Sequence, residues 1–148
     1  MSVRVEITGI AGALATTERV ENRLLNLEPL FRDIGALLES NANIRFDTKT
    51  DPDGKAWPEW SESTRKARER EGRGTLMEYS GLMREGLSSA FGPSFAEVLL
   101  SAPYAGAHES PGAGSHLPRR AVLTSADGGL GVQDLDDVLN AIEEYLNV

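Results

Sequence analysis

TERVENRLLNLEPLFRDIGALL, residues 17–38, is the stretch on which the fold turns. Val20, Leu24, Leu27, Phe31, Ile34 and Leu38 recur at spacings of 4, 3, 4, 3 and 4, so they line one face of a long helix. Thr17 is placed to cap its N-terminus, and Glu18 follows in the first turn, where the helix dipole favours a carboxylate. Pro29 interrupts the pattern: its ring displaces the carbonyl of residue 25 and removes one backbone bond. The stretch therefore predicts either a kinked helix or two helices meeting at residues 26–29. Heptad spacing fits both a coiled coil and ordinary core packing, and over so short a run core packing is the commoner outcome.

Upstream, Val3, Val5 and Ile7 alternate with Arg4 and Glu6, the period of a half-buried strand, and Gly9 and Gly12 end it. Downstream, Ile44 and Phe46 read as a short strand or as the last apolar contacts of the helix. In DPDGKAWPEW, residues 51–60, Pro52 presets φ for the second position of a turn, and Asp53 and Gly54 tolerate the conformations that the turn needs after it. Ser61 caps a polar helix running to about Glu71, and GRG at 72–74 breaks it. Residues 76–87 read as a loop entering a helix near Ser80. FAEVLLS, residues 95–101, reads as a strand after a turn at Gly92 and Pro93, and residues 121–125 as another. Between them, residues 103–120 are rich in Gly, Pro and Ser and predict irregular structure. Val132, Leu135, Leu139, Ile142 and Leu146, spaced 3, 4, 3 and 4, form an amphipathic C-terminal helix. The expectation is one α+β domain over residues 1–148: a long N-terminal helix, kinked at Pro29, a small antiparallel sheet and a C-terminal helix.

With 148 residues the chain buries roughly 70% of its extended surface, enough for a core without staples. It has no cysteine, so neither disulfides nor thiolate ligands hold it. No apolar run is long enough to span a membrane, and MSVRVEITGI lacks the basic and apolar regions of a signal peptide. That predicts a protein made and kept in the cytoplasm. A net charge of −8 argues against independent nucleic-acid binding, which needs a concentrated basic surface. The charge is uneven. No Lys or Arg follows Arg120, whereas Asp127, Asp134, Asp136, Asp137, Glu143 and Glu144 do. Residues 61–75 carry Arg65, Lys66, Arg68, Arg70 and Arg73 against Glu62, Glu69 and Glu71. These are either two solvated faces or complementary subunit edges.

Catalytic and metal chemistry find little purchase. If Asp51, Asp53 and Gly54 held positions 3, 5 and 6 of a calcium loop, the first and last ligands would be Lys49 and Trp60, which cannot coordinate. His108 and His116, eight apart with Glu109 nearby, match no zinc spacing and lie on no single helix face. There is no G-x-S-x-G elbow, phosphate loop or GxGxxG. Trp57 and Trp60 either cap the core over the long helix or anchor an interface, and the core is the commoner fate. No cofactor is implied.

Taken in order, several pieces resemble the phage virion morphogenesis (tail-completion) family of tailed and Mu-like bacteriophages. They are Phe46, then Asp51-Pro52-Asp53-Gly54-Lys55-Ala56-Trp57, Ser61-x-x-Thr64, Leu76, and Ser80-Gly81-Leu82-Met83. Tyr104-Ala105-Gly106-Ala107-His108, Pro118-Arg119-Arg120 and the acidic C-terminal helix complete the series. The chain departs from that pattern after the histidine, where Glu109-Ser110-Pro111-Gly112 stands, and in its shortened proline–arginine stretch. The resemblance implies a non-enzymatic virion protein of the tail and neck, made in the host cytoplasm. It implies a ring of copies of itself, sixfold for preference, that completes or terminates the tail tube and meets the tube and neck proteins. DNA would pass through without sequence-specific binding, and no membrane is involved. Asp51, Pro52, Asp53, Gly54, Trp57, Gly81 and Leu82 are the expected structural motif residues. Tyr104, His108, Arg119 and Arg120 are the expected interface, reaching a neighbour's acidic helix. The alternatives are a head-closure or adaptor component on the head side, and a hydrolase or metal-binding protein using His108, Glu109 and His116.

Overall fold

The structure, a computed structural model, describes residues 4, 6, 8, 10–72 and 74–147. The strand expected at Val3, Val5 and Ile7 lies outside them. Helix α1, Ile10–Leu24, and helix α2, Glu28–Thr48, meet across residues 25–27, the two-helix outcome of the two expected at Pro29. The break answers the Pro29 problem: α2 begins at Glu28, so Pro29 lies in the first turn, where its missing N–H has no intrahelical partner to lose. Thr17 caps nothing, because α1 starts seven residues earlier; its hydroxyl donates to the Ala13 carbonyl at 3.0 Å.

The break also divides the apolar stripe. On α2, Leu30, Ile34, Ala42 and Phe46 are buried, while Leu24 on α1 is exposed. Phe46 sits inside the helix, which settles its reading as a helix contact, and Ile44 points outward. The helix ends at Lys49, a non-glycine residue at φ 57°. Its ammonium holds Glu78 at 2.6 Å and the Leu76 carbonyl at 2.9 Å, contacts that offset the left-handed conformation.

Ser61 caps α3, Glu62–Glu71, by accepting from the Thr64 N–H, and Gly72 ends it at φ 66°. A single turn, α4, Leu82–Glu85, follows Gly81 at φ 81°. Strands β1, Leu87–Gly92, and β2, Phe95–Leu100, form an antiparallel two-stranded sheet closed at Pro93 and Ser94, with α2 packed against it. β1 was not foreseen. LSSAFG shows no apolar alternation and becomes a strand by pairing with β2. The loop read as irregular contains one short helix, α5, Ala105–Glu109, pinned by Ala102 and Ala105 in the core. The strand expected at 121–125 is instead a loop that bends at Val122 and Leu123. Helix α6, Val132–Leu146, closes the chain against α2 and α1.

The core joins Phe46, Trp57, Met83, Leu100 and Val122, with Phe46 and Trp57 in edge-to-face contact at 5.8 Å. Trp57 thus caps the core over the α2 helix. About half the residues are helical and a tenth are in strands, an α+β fold.

Candidate functional site

The Asp51–Gly54 turn is a latch rather than a ligand. Asp51 Oδ1 accepts from the N–H groups of Asp53 and Lys55, both at 2.9 Å, and Gly54 sits at φ 81°. Asp53 Oδ2 accepts from the Ala126 N–H at 3.0 Å. Asp51 stands 3.9 Å from the Arg119 guanidinium, and Trp57 Nε1 donates to the Ala121 carbonyl at 2.8 Å. Each residue of this turn that reaches outward grips residues 119–131.

That segment forms no strand because side chains take the place of a strand partner. Glu109 Oε1 accepts from the N–H groups of Val122 and Leu123 at 2.7 and 2.8 Å, and Oε2 from Thr124 N–H and hydroxyl at 3.1 and 2.7 Å. Arg45 Nη1 donates to the Val122 carbonyl at 2.7 Å. With both oxygens so occupied, Glu109 is not available beside His108 and His116. No group of three or more His, Cys, Asp or Glu side chains is placed to hold a metal among the described residues.

Arg119 and Arg120 are likewise committed to their own chain. Arg119 donates to the carbonyls of Glu109, Thr124 and Ser125 at 2.9, 2.6 and 2.8 Å. Arg120 is buried and donates to the carbonyls of Pro58 and Glu59 at 2.7 and 2.9 Å. The loop, too poor in apolar residues to pack alone, is packed by these cations instead.

Tyr104, His108 and Arg120 meet in a cleft of about 780 Å³, bounded by α3, by residues 75–83 and by residues 104–120. Ser61, Thr64 and Ser80 line it as well, so motifs far apart in sequence converge there. Arg68 lies over the Tyr79 ring at 3.5 Å from its centroid. Two buried nitrogens of the lining, Arg68 Nε and His108 Nδ1, have no hydrogen-bond partner among the described residues. Burial, and then the Arg120 charge, hold the His108 pKa below its ordinary value, so this imidazole favours its neutral form. Below the cleft, Arg84 bridges Asp47 at 2.8 Å and Glu78 at 3.0 Å. Gly81 starts α4, while Leu82 is exposed at its surface.

Residues 6–147 match the model of the phage virion morphogenesis family. The chain belongs to that family. As a member it has a structural or morphogenetic role in the phage virion. No curated protein and no solved structure matches it. Among the described residues no helix is long and apolar enough to cross a membrane.

Sequence reasoning passed over Arg45 and Glu78, read Arg68 and Asp134 only as members of charged segments, and weighed Glu109 as a ligand. Their roles depend on partners up to 93 positions away, which no local spacing announces. The one available signal was an arginine, Arg45, set between the apolar helix residues Ala42 and Phe46.

Proposed function

We propose that this virion morphogenesis protein is a non-enzymatic subunit of the head–tail junction. It completes or terminates the tail tube and joins it to the neck as a ring of identical copies, six for preference. The observation that carries this reading, beside family membership, is the C-terminal helix. Val132, Leu135 and Leu139 are 68%, 47% and 54% exposed, so the N-terminal part of the α6 apolar stripe faces away from its own core, while Ile142 and Leu146 are half-buried. A contiguous exposed apolar stripe marks an interaction surface. The isolated chain is then a monomer or a weak oligomer, and it becomes an ordered hexamer on the tube. A ring carrying a net −8 per copy does not grip DNA passing through its bore.

The test is a symmetry-resolved image of the virion neck with this chain traced in it. Six copies at the end of the tail tube are expected. A copy number other than six overturns the hexamer, and a chain found on the head side favours the head-closure reading. A chain found outside the neck overturns the assignment.

A further inference from the structure

Helix α6 carries an unused surface. Asp134, Asp137 and Tyr145 turn toward α2 and α1: Asn41 donates to Asp134 and Asp137 at 3.0 and 2.8 Å, and Tyr145 bonds with Arg23 and Asn26. Helical geometry places Val132, Leu135 and Leu139 well round from that contact, with Asp136 and Glu143 along their outer border. Among α6's fifteen residues there are five carboxylates and no Lys or Arg. A partner for this face must therefore offer apolar walls beside positive charge.

The molecule presents other exposed apolar residues, and charge separates them. Phe95 and Leu99 on the outer face of the hairpin flank Glu97, a like charge for α6. The cleft differs. Trp60, Met77 and Leu117 supply apolar wall, and Arg68 of α3 and Arg120 set two positive charges in its lining against the one carboxylate of Glu59. Ser61, Thr64 and Tyr104 add hydroxyls, and Arg68 Nε is a buried donor without an acceptor among the described residues. No residue of α6 or α1 lines the cleft, so both surfaces are open at once on one molecule.

We infer that the cleft receives the exposed face of α6 from a second copy of this chain, a head-to-tail contact that rests on the proposed ring. Leu135 and Leu139 enter between Tyr104 and the Trp60–Met77 wall, and Asp136 and Glu143 lie toward Arg68. Such a contact pairs two different surfaces, so every copy keeps one of each, and the series ends only by closing into a ring.

The test uses the full-length chain in sedimentation velocity, carried up to concentrations at which the unmodified chain associates; an unmodified chain that stays monomeric throughout overturns the inference. One variant, Leu135→Asp/Leu139→Asp, changes two exposed positions. Another, Tyr104→Glu, puts a like charge in the cleft, and Thr64→Glu on the facing wall repeats the test if Tyr104→Glu disturbs the fold. Each variant alone is expected to associate at least tenfold more weakly than the unmodified chain. An equimolar mixture of the α6 and cleft variants is expected to regain one intact contact and form a dimer and nothing larger. Variants that sediment like the unmodified chain overturn the inference, and so does a mixture no better associated than its parts. Neck imaging reads position independently, so a contact that behaves as stated in a chain absent from the neck removes the neck reading alone.

Discussion

Arg45 Nη2 and Asp134 Oδ1 stand 2.6 Å apart, and both side chains are almost wholly buried. The pair locks α6 onto α2, and Asn41 and the Val122 carbonyl take up further bonding positions on the two groups. Removing one partner from a buried pair leaves a charge in a medium that cannot solvate it. Asp134→Ala should therefore destabilise the fold by about 3–5 kcal/mol. Arg45→Met/Asp134→Leu, which removes both charges and keeps volume, should recover most of that loss. Urea unfolding of the three proteins checks this; a double variant no more stable than Asp134→Ala would count against it.

Gly131 and Gly54 act on the same latch for different reasons. A Cβ on Gly131 would lie 2.0 Å from the Pro52 carbonyl oxygen, so backbone must move to admit it. Gly54 has open space around its Cβ position but φ 81°, a conformation that disfavours branched side chains. Gly54→Val should cost on the order of 1–2 kcal/mol, from backbone strain alone. Gly131→Ala should cost more, although alanine is smaller. Thermal midpoints rank the two, and an unchanged midpoint for Gly131→Ala would refute the close approach.

These two glycines show where sequence reading reaches. Gly54 is legible because Pro-Asp-Gly is a local signal for a turn that ends at positive φ. Gly131 is not, since its constraint is a carbonyl 79 residues away in sequence that only the folded chain brings near. The same division runs through the fold. Helices α3 and α6, the α1–α2 break and β2 follow from caps, periodicity and Pro29, all local. β1 escaped because its stability comes from pairing, and 121–125 misled because its apolar residues are held by Glu109, Arg45 and Trp57. The cleft obeys the same rule: Ser61, Ser80 and Tyr104 belong to separate motifs, and their convergence is tertiary.

Glu109 satisfies four donors at once, three of them the backbone N–H groups of residues 122–124. Glu109→Ala would leave those groups without partners in a half-buried loop, at about 1–3 kcal/mol for each group left unsatisfied and less in sum if water enters. The expected readout is faster amide hydrogen exchange at residues 122–124, with the α2–hairpin region little changed. Unaltered protection there would show that the carboxylate does not hold the loop.

Acid should weaken the fold before the carboxylates titrate. Burial and then the Arg120 charge lower the His108 pKa, so the native chain keeps this imidazole neutral after the unfolded chain has begun to take up a proton near pH 6.5. Stability then falls as pH drops through that region. For Glu78, burial pushes the pKa up, but hydrogen bonds from Lys49 and Arg84 outweigh it and hold it low. Its contribution is present above its unfolded value of about 4.3 and is lost only as pH falls below that. Unfolding free energies at pH 7.5 and 5.5 should differ in the unmodified chain, and His108→Gln should shrink the difference. A His108→Gln chain with the full pH dependence would move the effect to another group.

From the sequence, Arg119 and Arg120 read as rim charges whose reversal would weaken assembly more than folding; their geometry reverses that expectation. Arg120 donates to the Pro58 and Glu59 carbonyls from a buried position, and Arg119 bonds three carbonyls while facing Asp51. Arg120→Glu would turn a carboxylate onto two carbonyl oxygens, replacing two charge-assisted bonds with repulsion in a place water reaches poorly. Arg119→Glu would set like charge against Asp51 and release the loop that the Asp51–Gly54 turn grips. The double reversal should therefore unfold the chain or lower its thermal midpoint by many degrees, even at concentrations where no oligomer forms. Arg65→Glu/Lys66→Glu is the contrast, since both residues lie on the exposed face of α3 and the ion pair lost, from Lys66 to Glu62, is an exposed one. That variant should keep its midpoint within a degree or two, because exposed pairs contribute at most about 1 kcal/mol. Thermal unfolding of dilute protein, followed by circular dichroism, separates the two. An Arg119→Glu/Arg120→Glu chain with an unchanged midpoint would return both residues to the rim.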